Sequence, residues 1–459
     1  MLRLPHPNPS PEGEGLKSRK LVASTSPART GLLAAAALLA TTTPLHAQTI
    51  AFTNGTVAIG DGSQPIERGT VVIKDGRVVA AGKDVAVPAG ARVIDASSKW
   101  IAAGIVAGMT SLGIAEGYGI ETTNDASAPK SPFSAAIDIV PAINPASPPI
   151  AIERSGGVTR AIVAPSVANS IFAGQGAVID LAADSDAVTR PRAFQFVELG
   201  EAGRDSGGGS RASAHLLFRS ALIEAQDYAR APAAYGQNGQ MLTRADAAAL
   251  VPVVTGRMLL LVHAERASDI RQTLALRKDF PNLKLVLVGA TEGWMVAPEI
   301  AAAGVPVIAS ALADLPAAFE TLAATESNVG RLTRAGIVTG ISLIDLGPPP
   351  QQRNLTQYAG NLVALTRVPG ASGLDWGAAF ASITSKPAAA IGMETEIGSL
   401  RPGRRADVVL WDGDPLEFSS EPEAVFIDGI QQPMDNRQTK LRKRYATPVE
   451  GDLPKAYER

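Results

Sequence analysis

Apolar and polar positions alternate with a period of two from Thr49 to Ile101, in "TIAFTNGTVAIGDG", "GTVVIKDGRVVAAG" and "ARVIDASSKWI". Asn-Gly and Asp-Gly pairs separate these runs, and such dipeptides supply the positive-φ positions of tight hairpin turns. The same texture returns near the other end, in "IGSLRPGRRADVVLWDGDPLEF" (Ile397 to Phe418) and "EAVFIDGIQQP" (Glu423 to Pro433). Short strands at opposite ends of a chain can hide one another's apolar faces. That predicts one small composite β-sandwich built from residues 48–103 and 393–440.

Between these segments the period changes. Continuous apolar runs, "GVTRAIVAP" (Gly157 to Pro165), "MLLLVHAE" (Met258 to Glu265), "LKLVLVGA" (Leu283 to Ala290), "GVPVIAS" (Gly304 to Ser310) and "GIVTGIS" (Gly336 to Ser342), read as strands buried on both faces. Amphipathic stretches separate them, notably Ser213 to Ala231 and Asp269 to Phe280. Strands alternating with helices predict a parallel sheet, and residues 104–392 have room for eight such units. The expected fold class is therefore α/β, a (β/α)8 TIM-type barrel beside the composite β-sandwich. Chemistry on such a barrel sits at the C-terminal ends of its strands.

The chain carries 42 basic and 44 acidic residues, a balance that favours neither nucleic acid nor an anionic surface as partner. It has no cysteine, which excludes disulfides, thiolate metal sites and a Cys nucleophile. Lys17, Arg19, Lys20 and Arg29 precede the apolar run Gly31 to Ala40 ("GLLAAAALLA"), and "TTTPLHA" follows. This is the layout of a secretory signal, with cleavage expected after Ala47 and a periplasmic or secreted mature protein. The Pro- and Gly-rich "LPHPNPSPEGEG" (Leu4 to Gly15) is foreign to such signals and suggests an over-extended start. No other run reaches the length of a membrane span, and residues 441–459 read as a polar tail.

The run "GSLRPGRRADVVLWDGDPLE", with Gly398, Leu400, Pro402, Gly403, Ala406 and Asp407, resembles the closing pattern of the amidohydrolase superfamily, in particular its imidazolonepropionase-like and secreted members. "ITSKPAAAIG" (Ile383 to Gly392) is similar to the family's T-x-N-P-A-x-x-L-G helix end, with Lys386 in place of Asn. "VHAERASDI" and "LVGATEGWMVAPEIAAAGVPVI" resemble the fifth and sixth barrel strands with their loops. The resemblance implies one or two divalent metals, zinc by default, held by an H-x-H pair on strand one, a Lys or Glu on strand four, a His on each of strands five and six, and an Asp on strand eight. Such a metal lowers the pKa of bound water until hydroxide forms near neutrality.

"IAAGIVAGMTSLGIAE" (Ile101 to Glu116) keeps the glycines and apolar spacers of the family's first strand, but Met109 and Ser111 stand at its two histidine positions. Strand five keeps His263; strand six has Gly289 where its histidine falls. On strand eight Ile344 takes the aspartate position, with Asp345 one residue late and so on the opposite face unless the strand bulges. A count supports this alignment. Of four histidines, His6 and His46 precede the expected cleavage point, which leaves His215, on an amphipathic stretch, and His263.

The resemblance and the count together predict a degenerate metal site with no cofactor. His263, Glu265 and Asp345 remain as candidate acid–base groups, since imidazole and carboxylate can exchange protons without a metal. Ser111, Glu292 and Trp294 are candidate ligand contacts at the barrel mouth. "AGQGAV" (Ala173 to Val178) is similar to a family loop near the mouth. The expected function is a non-catalytic or small-molecule-binding member, as a homo-oligomer or beside an intact paralogue. The alternative is a hydrolase of carbon–nitrogen bonds working through a reduced site.

Overall fold

A computed structural model of the chain describes residues 49–117, 120–236, 239–311, 313–344 and 351–446. The expected signal segment, residues 1–47, Asp345 and the last part of the tail lie outside them.

The N-terminal strands are β1 (Ile50–Ala58), β2 (Ile66–Lys74), β3 (Arg77–Gly82), β4 (Arg92–Asp95) and β5 (Trp100–Ala103). Eight more form a second sheet: β6 (Ile105–Thr110), β7 (Val158–Val163), β8 (Phe172–Asp180), β9 (Val188–Glu198), β10 (Leu259–Ala264), β11 (Lys284–Gly289), β12 (Val307–Ser310) and β13 (Thr339–Ser342). The chain then returns to the first sheet with β14 (Val408–Trp411), β15 (Pro422–Ile427) and β16 (Ile430–Gln431).

The first sheet has the order β16-β15-β14-β5-β1-β2-β3, with β4 paired to β1. Its N- and C-terminal halves meet where β5 runs antiparallel to β14, Trp100 opposite Trp411. The predicted composite of both ends of the chain is therefore present.

The second sheet runs in chain order from β6 to β13. It is a nearly closed barrel: the Ser342 hydroxyl on β13 donates to the Gly108 carbonyl on β6, and the Val106 N–H donates to the Ile383 carbonyl at 2.9 Å. Val106, Ile162, Val178, Phe194, Leu261, Val286 and Ile308 pack together as its lumen. Strands buried on both faces account for the continuous apolar runs, as in β7, where every residue is buried.

One element departs from eight repeated βα units. β8 runs antiparallel to both neighbours, and no helix separates β7, β8 and β9. Its centre is the "AGQGAV" stretch, which is strand rather than mouth loop. The glycines serve packing: a Cβ on Gly176 would meet the Phe194 ring at 2.1 Å, and one on Gly174 (φ +128°) would meet the Ile137 carbonyl at 2.7 Å.

At the end of the barrel away from the strand C-termini, Arg160 on β7 ties the two sheets together. Its fully buried guanidinium donates to both carboxylate oxygens of Asp407, just before β14, at 2.8 and 2.9 Å. It also bonds Asp428 at 2.8 Å and Asp180 of β8 at 3.3 Å. A bidentate pair held without water is rigid, and losing one partner strands a buried charge.

Two consequences can be measured. Arg160→Met takes away the cation that faces the buried Asp407 and Asp180 carboxylates, so urea unfolding should show a loss of about 3–5 kcal/mol. A loss below about 1 kcal/mol, the level of a surface pair, would show that the cluster holds nothing. Asp180 is pushed by burial from 3.8 to about 6, with the Arg160 charge opposing that rise. Because its folded pKa lies above its unfolded one, it favours folding most at low pH, and that contribution is lost as pH rises through about 6. Between pH 4 and 7 the stability of Asp180→Asn should therefore fall less than that of the parent. Parallel pH profiles would contradict the shift.

Candidate functional site

The C-terminal ends of the barrel strands bring together residues from across the sequence. β9 and β10 are parallel with Glu198 directly opposite His263, so both side chains point to the same side. The His263 Nδ1 lies 2.5 Å from Glu198 Oε1, and its Nε2 lies 2.8 Å from Glu265 Oε1. Glu265 is fixed in turn, because the Thr291 N–H donates to its Oε2 at 2.7 Å. The imidazole is thus held between two carboxylates, each buried to nine-tenths or more.

Burial by itself would lower the His263 pKa, but the facing Glu198 and Glu265 carboxylates outweigh it and push the value well above the ordinary histidine range. Glu265 moves the other way: burial opposes its charge, yet the bonds from His263 and Thr291 hold it below the usual carboxylate range. A shift in that direction favours the imidazolium form, which donates from both nitrogens to the flanking carboxylates.

Gly289 makes the arrangement sterically feasible. It ends β11 at φ +83°, and a Cβ there would lie 2.1 Å from Glu265 Oε1 and 2.8 Å from His263 Nε2. The Glu265 carboxylate occupies the space into which a side chain at this position would begin to grow. Ala290 follows at φ +50°, unusual for a residue with a Cβ. This left-handed turn carries Thr291 back to its bond with Glu265.

The remaining predicted positions separate into two groups. Met109, Ser111 and Ile344 line a cavity of about 270 Å³ together with Glu198 and His263. Met109 turns toward it through a register shift between Ala107 and Thr110, with φ +41° at Met109 itself. Glu292 and Trp294 are not among the residues lining this cavity. The Glu292 carboxylate accepts from the Ala267 and Ala323 N–H groups at 3.0 and 3.2 Å. The Trp294 indole donates to the Ala323 carbonyl at 2.9 Å, with the Arg331 guanidinium 4.3 Å above its ring. Both tie loops together. His215 lies away from these groups, on the helix Arg211–Arg230.

Glu198 escaped the sequence reading. It ends a strand interrupted by Pro191, the fourth of the barrel, and the Lys or Glu that the resemblance implies on that strand was the available signal.

The geometry can be set beside known proteins. A model of the Amidohydrolase family matches residues 295–431. The amidohydrolase tasK of Hapsidospora irregularis is 26% identical over 383 residues, which is 75% of this chain and 38% of that protein. The chain therefore spans about two fifths of its length. Among solved structures, the amidohydrolase from Thermotoga maritima MSB8 superposes with a TM-score of 0.71 at 23% identity, over 83% of this chain and 99% of that one. Phenylurea hydrolase B gives 0.52 at 18%, over 89% and 100%. Residues 295–431 thus match the amidohydrolase superfamily, and the chain as a whole shares the fold of a solved amidohydrolase.

Members of this superfamily usually carry a metal at the strand ends, and the donors here do not fit one. Of the implied ligands, Glu198 at the end of the fourth barrel strand and His263 on the fifth are present, but both nitrogens of that histidine are engaged by carboxylates. Met109, Ser111, Gly289 and Ile344 offer at most a neutral hydroxyl and a thioether, poor partners for zinc. Among the described residues no His, Cys, Asp or Glu group has the arrangement of a metal site.

Gly289→Ala should destabilise the protein by about 1–3 kcal/mol from backbone strain, with a further steric penalty. Gly304→Ala is the control, since Gly304 has φ +61° and open space around its would-be Cβ. The excess loss at Gly289 should shrink when Glu265→Ala is added, as a double-mutant cycle would show. Equal losses in both alanine variants would mean that Glu265 does not depend on the missing side chain.

Proposed function

We propose that this chain is an exported, non-catalytic member of the amidohydrolase superfamily whose barrel mouth binds a small molecule instead of activating water on a metal. The observation that carries this reading is His263 clamped between Glu198 and Glu265, with Gly289 leaving room for the clamp. A histidine protonated on both nitrogens has no lone pair to give a metal. The apolar cavity beside it is of a size that suits a small ligand. Export rests on the basic and apolar pattern before Ala47. No described helix is long and apolar enough to cross a membrane.

A second reading has one observation in its favour. His263 and Glu265 are in direct contact and could shuttle a proton in hydrolysis of a carbon–nitrogen bond. Two groups held this tightly to one another resist that role, because each proton transfer breaks a charge-assisted bond. The names of the relatives, amidohydrolase and phenylurea hydrolase, describe those proteins.

The test is metal content together with turnover. Protein purified after incubation with zinc or manganese, then freed of loose ions, should hold sub-stoichiometric metal and leave amide, urea and dipeptide substrates intact. One equivalent of metal, or turnover abolished by His263→Ala, would overturn the proposal.

A further inference from the structure

Glu198 has a feature that the clamp does not use. Its Oε1 engages His263, while Oε2 has no hydrogen-bond partner among the described residues. The residue is 8% exposed, and it lines the cavity at the mouth. That oxygen belongs to a side chain that opens onto the cavity, where a donor placed by a ligand can reach it.

The charges around that oxygen define the donor. Both ring nitrogens of His263 are engaged by Glu198 and Glu265, so the imidazole offers no free N–H to a ligand. Glu198 is the one carboxylate among the described residues that line the cavity. No Lys or Arg is among the described residues that line it. Its hydroxyl-bearing lining residues are Thr110, Ser111 and Ser166, and the rest of the wall is largely apolar. Met109, Phe196, Val288, Leu343 and Ile344 supply hydrocarbon, sulfur and one aromatic ring, a lining that accepts an apolar body and tolerates a cation. An anionic ligand would meet the Glu198 carboxylate, with no Lys or Arg among the described lining residues to receive it. A neutral ligand would leave the negative charge uncompensated.

We infer that the mouth cavity binds a small organic cation, a protonated amine on an apolar body about the size of one aromatic ring, with its ammonium donating to Glu198 Oε2. This rests on the preceding reading that the mouth takes a ligand and no metal. The size follows from volume: a cavity of about 150 Å³ is enough to hold benzene, and this one is about 270 Å³.

The experiment is calorimetric titration of the full mature chain with benzylammonium, benzyl alcohol and phenylacetate, three probes of similar shape and different charge. Zinc is titrated separately. Benzylammonium should bind at least about tenfold tighter than benzyl alcohol, in keeping with a charge-assisted bond in place of a neutral one, and phenylacetate should not bind. Glu198→Gln should bring the amine down to the level of the alcohol. Since that change also disturbs the clamp, Ile344→Trp serves as a second variant: it fills the mouth, leaves the charged groups in place, and should abolish binding of both. Equal binding of the three probes, or none, with no uptake of zinc would overturn the inference and leave the metal-free reading standing. Zinc bound one to one and lost in His263→Ala would overturn both.

Discussion

Two carboxylates gripping one imidazole set the character of this molecule's upper face. The grip depends on a residue that contributes no side chain: with any Cβ at Gly289, the Glu265 carboxylate would lose its place. It depends equally on register, since Glu198 faces His263 only because β9 and β10 pair as they do. Seen this way, the missing histidines have not left a vacancy. At those positions stand a thioether, a hydroxyl, a turn of backbone and a branched alkyl group, and the imidazole of His263 lies between two carboxylates.

The frame does not rely on that site. The barrel is sealed at its lumen by aliphatic and aromatic packing, and its opposite end is fastened to the second sheet by Arg160 and its aspartates. A protein whose cohesion lies at one end of the barrel can change the chemistry of the other end at little cost to the fold. Active and ligand-binding members of one superfamily can therefore share a scaffold, and fold alone does not assign chemistry to this chain.

Much of the architecture was legible in the sequence, because alternation of period two and continuous apolar runs are properties of a single chain segment. The composite sheet from both ends of the chain and the strands carrying His263 and Gly289 follow from such patterns. β8 did not, because its "AGQGAV" stretch, with Gly174 and Gly176, resembles a mouth loop, and β9 carries Pro191 inside it. Only the neighbouring Phe194 ring and Ile137 carbonyl explain why glycine belongs inside a strand there. The loss of metal ligands was visible as a count of histidines. What replaced them was hidden, since the pairing of Glu198 with His263 spans 65 residues and is a fact of register. Glu292 and Trp294 look like mouth residues on a loop, but their polar groups are engaged by backbone on other loops.

The central claim is that His263 is an imidazolium with both nitrogens occupied. Long-range proton–nitrogen correlation spectra of the labelled protein, recorded at neutral pH before and after one equivalent of zinc, address it directly. The account predicts two protonated ring nitrogens on His263 and no change when zinc is added. A bare ring nitrogen whose resonance moves with zinc would contradict it.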